Sequence, residues 1–366
     1  MRILVNAQQL ISNSLEGWGW FSYETLKRIT VNNPSVEFIF VFDRPYSKEF
    51  LFSDNIIPIV QYPPSKHPLL WWFKFEYLMP RLISRYKPDL FLSPDGFIPT
   101  GQVGTKTLSV IHDLNFEHYP EFHTYSALKY YTKYFRLFAD AANRIATVSE
   151  FTKGDIVNTY GVSSDKIDVV YNGVNNNFTV LNDATKRDTM RKYSDNCPYI
   201  IYVGAFNSRK NIVNLLKAFD LFRSKNDSVV KLVLCGSRKS WDRDMDLALS
   251  NMLYREDVIF TGRVSSSELA LLVGSALCLS YVSIFEGFGI PIIEAMNAGV
   301  PVVTSSTSSM PEISGDAALT VNPNSVEAIA ISFEAISKDG LLRERLISNG
   351  FINANRYSWD ISASLL

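Results

Sequence analysis

The chain has 366 residues, 46% of them hydrophobic and 20% charged, with a formal net charge of −1. That length exceeds one ordinary hydrophobic core and predicts two domains, while the composition excludes a disordered chain. A near-neutral charge without a dense basic stretch excludes duplex nucleic acid as a partner. The cysteines Cys197, Cys235 and Cys278 are scattered and lack metal-ligand spacing, which reads as buried, reduced thiols of a cytoplasmic protein.

The first run, Arg2-Ile-Leu-Val-Asn6, is predicted as a β-strand and is too short for a signal peptide. No window of about 18 apolar residues follows, so no membrane span is expected. Gly17-Trp18-Gly19-Trp20 comes next. It lacks the third glycine and the spacing of a dinucleotide fingerprint, which argues against a nicotinamide enzyme. It reads either as a phosphate-approaching loop or as a helix-entry loop. Through the first half, strands are predicted at 2–6, 37–42, 90–92, 107–111, 144–147 and 167–170, and helices at 21–31, 70–86, 126–142 and 150–160. This alternation is the pattern of parallel α/β sheets.

The helical stretches at 70–78 and 125–138 are rich in aromatics. In the latter, Lys129, Lys133 and Arg136 share one face, with Tyr130, Tyr134, Phe135 and Phe138 largely elsewhere. Such helices suit either a peripheral membrane interface or core packing beneath a solvated charged face. His112-Asp113 directly follows strand 107–111, at the sheet edge where ligands of such folds bind. It reads as a ligand contact or as a helix-capping pair. His67, His118 and His123 read as surface or packing residues.

The polar stretch 172–196 is predicted to hold the domain boundary, with room for one short helix. Strands then resume at 199–203, 229–235, 258–260, 276–279 and 300–303. After the first of these, Gly204 ends the strand and Arg209-Lys210 follow. Two cations there suit a leaving diphosphate, or are solvated charges on a first helical turn. Asp242-Arg-Asp-Met-Asp246 mimics a metal-binding pair, but residues two apart on a helix diverge, and no metal site is expected. The richest segment is Glu286-Gly-Phe-Gly-Ile-Pro-Ile-Ile-Glu294. Pro291 suits a first helical turn, Gly287 and Gly289 permit close backbone approach, and the helix start attracts an anion. Glu286 and Glu294 can accept hydrogen bonds from sugar and ribose hydroxyls, or the segment is a glycine-rich turn with two solvated glutamates.

This stretch closely resembles the E-x7-E motif of the retaining glycosyltransferases of family 4, which have the GT-B fold. The resemblance continues through Gly299-Val-Pro-Val-Val-Thr-Ser, Pro311-Glu-Ile-Ser-Gly-Asp-Ala-Ala and Glu327-Ala-Ile-Ala. In the first half it covers Thr147-Val-Ser-Glu-Phe-Thr-Lys and Val170-Tyr-Asn-Gly-Val. It implies two Rossmann-like, doubly wound parallel-sheet domains facing across a cleft. Residues 1–175 would form an acceptor-side domain, 176–194 a linker, 195–345 a donor domain, and 346–366 helices crossing back to the first domain.

The resemblance further implies that Glu286 contacts the transferred sugar, Glu294 the donor ribose and Lys210 the phosphates. Gly204, Phe288, Gly289 and Ile290 would line the donor site, Gly17 and Gly19 would approach the donor phosphate, and His112 would lie near the sugar and acceptor. Ala205 stands where relatives often carry arginine, so Arg209 is expected to substitute; Trp20 likewise stands in place of an arginine. The implied reaction moves a hexosyl group, with retention and without metal or cofactor, from a nucleotide-diphosphate sugar to a glycan or lipid-linked acceptor. Similarity of the 112–121 region to mannosyltransferases favours GDP-mannose over a UDP-sugar. The implied setting is assembly of a bacterial surface polysaccharide such as lipopolysaccharide, in the cytoplasm or peripherally at the inner face of the plasma membrane. A nucleotide-sugar epimerase on the same architecture and an inactive scaffold are the rival readings.

Overall fold

The computed structural model describes residues 1–12, 15, 17–65, 67–226 and 229–366. Two parallel sheets organise it. The first has seven strands: β1 Arg2–Asn6, β2 Glu37–Phe42, β3 Ile56–Val60, β4 Leu90–Ser93, β5 Lys106–Ile111, β6 Arg144–Thr147 and β7 Ile167–Val169, in the order β3-β2-β1-β4-β5-β6-β7. The second has six: β8 Tyr199–Val203, β9 Lys231–Cys235, β10 Val258–Gly262, β11 Cys278–Tyr281, β12 Val302–Ser305 and β13 Ala318–Val321, in the order β10-β9-β8-β11-β12-β13. Each order reverses beside its first strand, at β1/β4 and at β8/β11. Loops leaving opposite faces of the sheet diverge at such a point and open a crevice at the strand C-termini.

Near-continuous apolar strands such as Phe38-Ile-Phe-Val-Phe42 are what sheets covered by helices on both faces require. Leu4, Val41, Phe91 and Ile111 pack with Phe135 and Phe138 of helix Tyr125–Ala141. Tyr202, Leu234 and Val303 pack with Phe219 and Phe222 of helix Ile212–Ser224.

Two strands escape the sequence pattern. β3 contains Pro58 and β13 is short and only partly buried; both are edge strands, where a missing amide or a weak apolar face is tolerated. The segment predicted as one helix at 70–86 is helix Pro68–Phe73, a π-helical turn Lys74–Leu78 and helix Met79–Tyr86. Pro80 cannot donate to the carbonyl one turn back, and the widened turn precedes it.

The chain divides into a unit of 1–173 plus 358–366 and a unit of 174–357. The boundary lies inside the polar stretch 172–196, and the segment 176–194 holds the one helix that the stretch had room for. That helix, Asp183–Ser194, is N-capped by Asn182 and belongs to the second unit. The C-terminal return is shorter than 346–366. Helix Gly340–Ala354 stays in the second unit, its Gly350 packed on Met296, and only helix Trp359–Leu365 joins the first. That last helix is tied down by Arg28 to Asp360 at 2.7 Å, by Ser362 donating to the Tyr171 carbonyl, and by Phe21 edge-on to Trp359. At Gly173 a Cβ would stand 2.2 Å from the Trp359 backbone nitrogen. Gly173→Ala should therefore displace the final helix, at about 1–3 kcal/mol, the usual cost of overpacking. Limited proteolysis should cleave the variant near residue 358 faster than the parent; equal cleavage would contradict the packing described.

Candidate functional site

In the second unit the site begins where β8 ends. Gly204 has φ +143° and lies against the Tyr202 hydroxyl, which a Cβ would approach to 2.9 Å. Asn207 then caps a short 3-10 turn, Ser208–Lys210, by accepting from the Lys210 amide at 3.2 Å. Arg209 and Lys210 thus sit in a tight turn before helix Ile212–Ser224, not in its first turn. Asn211, 5% exposed, sews this turn to the neighbouring loop by donating to the Val282 and Pro323 carbonyls at 2.9 and 2.7 Å. Ile284 also donates its amide to the Arg209 carbonyl at 2.9 Å.

The loop after β11 brings Glu286 to the two cations. Its carboxylate accepts from Arg209 Nη1 at 2.8 Å and from Lys210 Nζ at 2.6 Å. Lys210 Nζ also donates to the Tyr281 hydroxyl at 2.8 Å and stands over that ring. Arg209 Nη1 reaches the Phe285 carbonyl at 2.6 Å. Burial opposes ionisation of Glu286, which is only 7% exposed, but Arg209 and Lys210 prevail and hold its carboxyl at about 2. Ser308 accepts from the Glu286 amide at 3.0 Å, and Ser309 donates to the carbonyls of Glu286 and Phe288 at 2.8 and 3.1 Å.

Beyond Glu286, Phe288 packs edge-on against Tyr357 and is buried, so its ring is a packing element. Gly289, at φ +103°, caps helix Ile290–Asn297 and carries Pro291 into its first turn. Glu294 lies in the next turn, and its carboxylate has no hydrogen-bond partner among the described residues. Burial alone raises it to about 8. Two carboxyls eight residues apart therefore differ sharply: one is locked ionised by cations, the other has no cation beside it among the described residues and is raised by burial.

In the first unit, His112 follows β5. Its Nε2 is 2.7 Å from the Pro94 carbonyl, which can only accept, so Nε2 carries the proton and Nδ1 is an acceptor. Burial lowers its pKa and favours this neutral form. Trp18 stacks on the imidazole at 5.5 Å and 18°, and Phe21 meets it edge-on. Asp113, by contrast, caps the next turn by accepting from the Asn115 amide at 3.0 Å. Gly17 and Gly19 are the first turn of helix Gly17–Asn32, with no positive φ. Gly19 serves packing, since a Cβ there would stand 3.1 Å from the Gln9 carbonyl, while Gly17 faces open space. Asp242 is a helix N-cap for Met245 and Asp246 accepts from Trp241 Nε1, so the acidic run is engaged in local structure. No group of three or more His, Cys, Asp or Glu suited to a metal is present among the described residues.

The structure brings together Arg209, Lys210 and Glu286, which the sequence reading singled out, and joins to them Tyr281, Asn211, Ser308 and Ser309, which it did not. Asn211 follows the two cations directly and Tyr281 ends an apolar strand, so position offered a signal. The two serines did not, because only folding brings 308–309 against 286.

Residues 186–352 match the family described as Glycosyl transferases group 1, and residues 35–178 match Glycosyltransferase Family 4. The chain is 29% identical to O-antigen chain mannosyltransferase B of Escherichia coli, over 98% of this chain and 96% of that protein. It is 30% identical to O-antigen chain mannosyltransferase RfbU of Salmonella typhimurium, over 74% of this chain and 71% of that protein. Among solved structures, Anabaena Alr3699/HepE in complex with UDP and glucose superposes with a TM-score of 0.78 at 15% identity, over 100% of this chain and 97% of that one.

Glu294 generates a pH test. Its carboxyl binds a proton more tightly folded, at about 8, than unfolded, at the ordinary 4.5. Stability is therefore lost as pH rises from 4.5 to 8. Glu294→Gln should melt higher than the parent at pH 8.5, by about 2–4 °C per kcal/mol relieved, and the gain should shrink towards pH 4.5. A pH-independent difference would contradict the partly buried, unpaired carboxyl.

Proposed function

Because the chain belongs to glycosyltransferase family 4, and so is a glycosyltransferase of GT-B fold, we propose that it moves a mannosyl group from GDP-mannose to a lipid-linked glycan in O-antigen assembly. The Lys210–Glu286–Arg209 cluster at the β8/β11 reversal carries this reading. A diphosphate entering there takes Lys210 Nζ, which neutralises the charge that builds as the glycosidic bond breaks. Glu286, relieved of one cation, accepts hydrogen bonds from the sugar, while Arg209 keeps it oriented through the Phe285 carbonyl. Glu294 accepts from the ribose. The backbone at Gly204, Gly289 and Ile290 allows close approach.

The incoming hydroxyl attacks the anomeric carbon on the face the phosphate leaves. Its proton passes to the departing phosphate oxygen, so configuration is retained and no protein nucleophile is required. His112 holds a sugar hydroxyl through Nδ1. The mannosyl and O-antigen assignments are supported by the relatives, which carry those activities in their names.

A thermal-shift panel tests the donor. A ligand at 100 times its dissociation constant stabilises by about 2.7 kcal/mol, so GDP-mannose should raise the melting temperature more than UDP-glucose. Lys210→Ala should abolish that shift and cut turnover by about 10² or more. A shift unchanged in Lys210→Ala would place the donor elsewhere, and a larger shift with UDP-glucose would replace the mannosyl reading.

We also propose that the exposed side of the helices flanking the π turn meets an anionic lipid surface. Leu69, Trp72 and Tyr77 are 69%, 46% and 43% exposed, and Arg81, Arg85 and Lys87 follow, also exposed. Arg81 stacks on Tyr77 at 3.6 Å, and Glu76 is engaged with Thr100. Helix Tyr125–Ala141 suits this less, since its Tyr130, Phe135 and Phe138 are buried beneath the cations. No helix among the described residues is long and apolar enough to cross a membrane. Binding to phosphatidylglycerol vesicles should weaken with salt and fall several-fold in Trp72→Ser/Arg81→Ser; equal recovery of parent and variant with vesicles would contradict this surface.

A further inference from the structure

The loop after β1 carries two glutamines fixed on one carboxylate. Asp95, 1% exposed, lies just past β4 at the β1/β4 reversal. Its Oδ1 accepts from Asn6 at 2.7 Å and Ser93 at 3.0 Å, and its Oδ2 from Gln8 at 2.6 Å and Gln9 at 3.0 Å. On the far side of Gln8, Lys74 Nζ donates to Oε1 at 2.8 Å. Lys74 is 1% exposed and sits in the π-helical turn. Burial lowers its pKa to about 8 against the pull of Asp43 and Asp95, so it is cationic at neutral pH.

An ammonium only donates and a carboxylate only accepts, so Gln8 between them has a single orientation. The same logic fixes Gln9. Its Nε2 faces Asp95, and its Oε1 is left without a hydrogen-bond partner among the described residues. A buried cation and carboxylate bridged by an amide are costly for stability alone, whereas a fixed acceptor at a sheet reversal is useful for binding.

Gln9 is half-buried, and its backbone carbonyl packs beneath Gly19, the residue that follows Trp18. Trp18 in turn stacks on His112, whose Nδ1 is the second fixed acceptor. Two fixed acceptors from one unit, one of them against an aromatic face, match a ligand that donates hydroxyls from an otherwise apolar ring, which is the chemistry of a sugar. We propose that Gln9, oriented by Asp95, determines acceptor specificity by taking a hydrogen bond from one hydroxyl of the acceptor glycan. Gln8 and Lys74 are positioning residues that hold Asp95. The inference rests on the transferase reading above.

The test uses octyl α-mannoside, octyl α-glucoside and octyl N-acetylglucosaminide as acceptors, with GDP-mannose and UDP-glucose as donors. Gln9→Met keeps the length of the side chain and removes its amide, both the acceptor oxygen and the Nε2 donor to Asp95. It should raise KM for the preferred glycoside about 5- to 10-fold, the scale of one neutral hydrogen bond. Donor KM and kcat should stay within error of the parent, while the melting temperature falls only by what the lost Gln9–Asp95 hydrogen bond costs. Among singly deoxygenated forms of that glycoside, one should lose the same factor with the parent enzyme and nothing further with Gln9→Met. Asp95→Asn, which lets the Gln9 amide turn, should move acceptor KM in the same direction. An unchanged acceptor KM in Gln9→Met, or fully additive losses for every deoxy analogue, would overturn the assignment while leaving the transferase reading intact. Parent enzyme that transfers to none of the glycosides would remove the premise, and the inference with it.

Discussion

A carboxylate taken out of water stays ionised only where cations or hydrogen-bond donors replace the water, and Glu286 has two cations, both from the turn after β8. This ion cluster joins the two loops that part at the β8/β11 reversal, and much of the surrounding structure serves it. Asn211 sews the loops together, Tyr281 shares the Lys210 ammonium, and Ser308 and Ser309 hold the backbone of residues 286–288 from behind. Breaking one partner of such a cluster leaves a buried charge uncompensated. A diphosphate does not break it in that sense. Under the donor reading proposed above, it would exchange one anion for another at Lys210, so the cost of freeing Glu286 for a sugar hydroxyl would be offset by the ligand itself.

The sequence carried the fold where its signals were local. Apolar runs such as Tyr199–Val203 and Arg144–Thr147 became strands with unchanged ends, because each is bounded by turn residues. It failed where tertiary context decides. Pro58 speaks against a strand until its edge position is known, and the π turn at Lys74–Leu78 leaves no periodic trace. The candidate site divides in the same way. Lys210 and Glu286 were legible from their motifs, but the pairing of Arg209 with Glu286 was not, since 77 residues separate them. Arg209 was expected to take over a phosphate contact; the structure gives it a carboxylate and a carbonyl to hold.

The two units offer opposite chemistry at their sheet reversals. In the second, cations surround a carboxylate, an arrangement for an anion. In the first, a buried anion and cation are bridged by a glutamine and a neutral histidine is held on a carbonyl, so the groups left over are acceptors. A transferase needs both kinds of surface, one for a charged donor and one for an uncharged, hydroxyl-rich acceptor. The Trp18–His112 stack was hidden in the sequence because the Gly-Trp-Gly-Trp run draws attention to its glycines. It is the indole, brought onto the histidine by helix Gly17–Asn32, that shapes the surface.

The most direct measurement of this account is a crystal structure with bound GDP. The diphosphate should lie within hydrogen-bond distance of Lys210 Nζ, with the Lys210–Glu286 pair parted, the Arg209–Glu286 pair kept, and the ribose hydroxyls on Glu294. A diphosphate bound away from Lys210, with the Lys210–Glu286 pair unchanged, would contradict the claim that this cluster is the donor site.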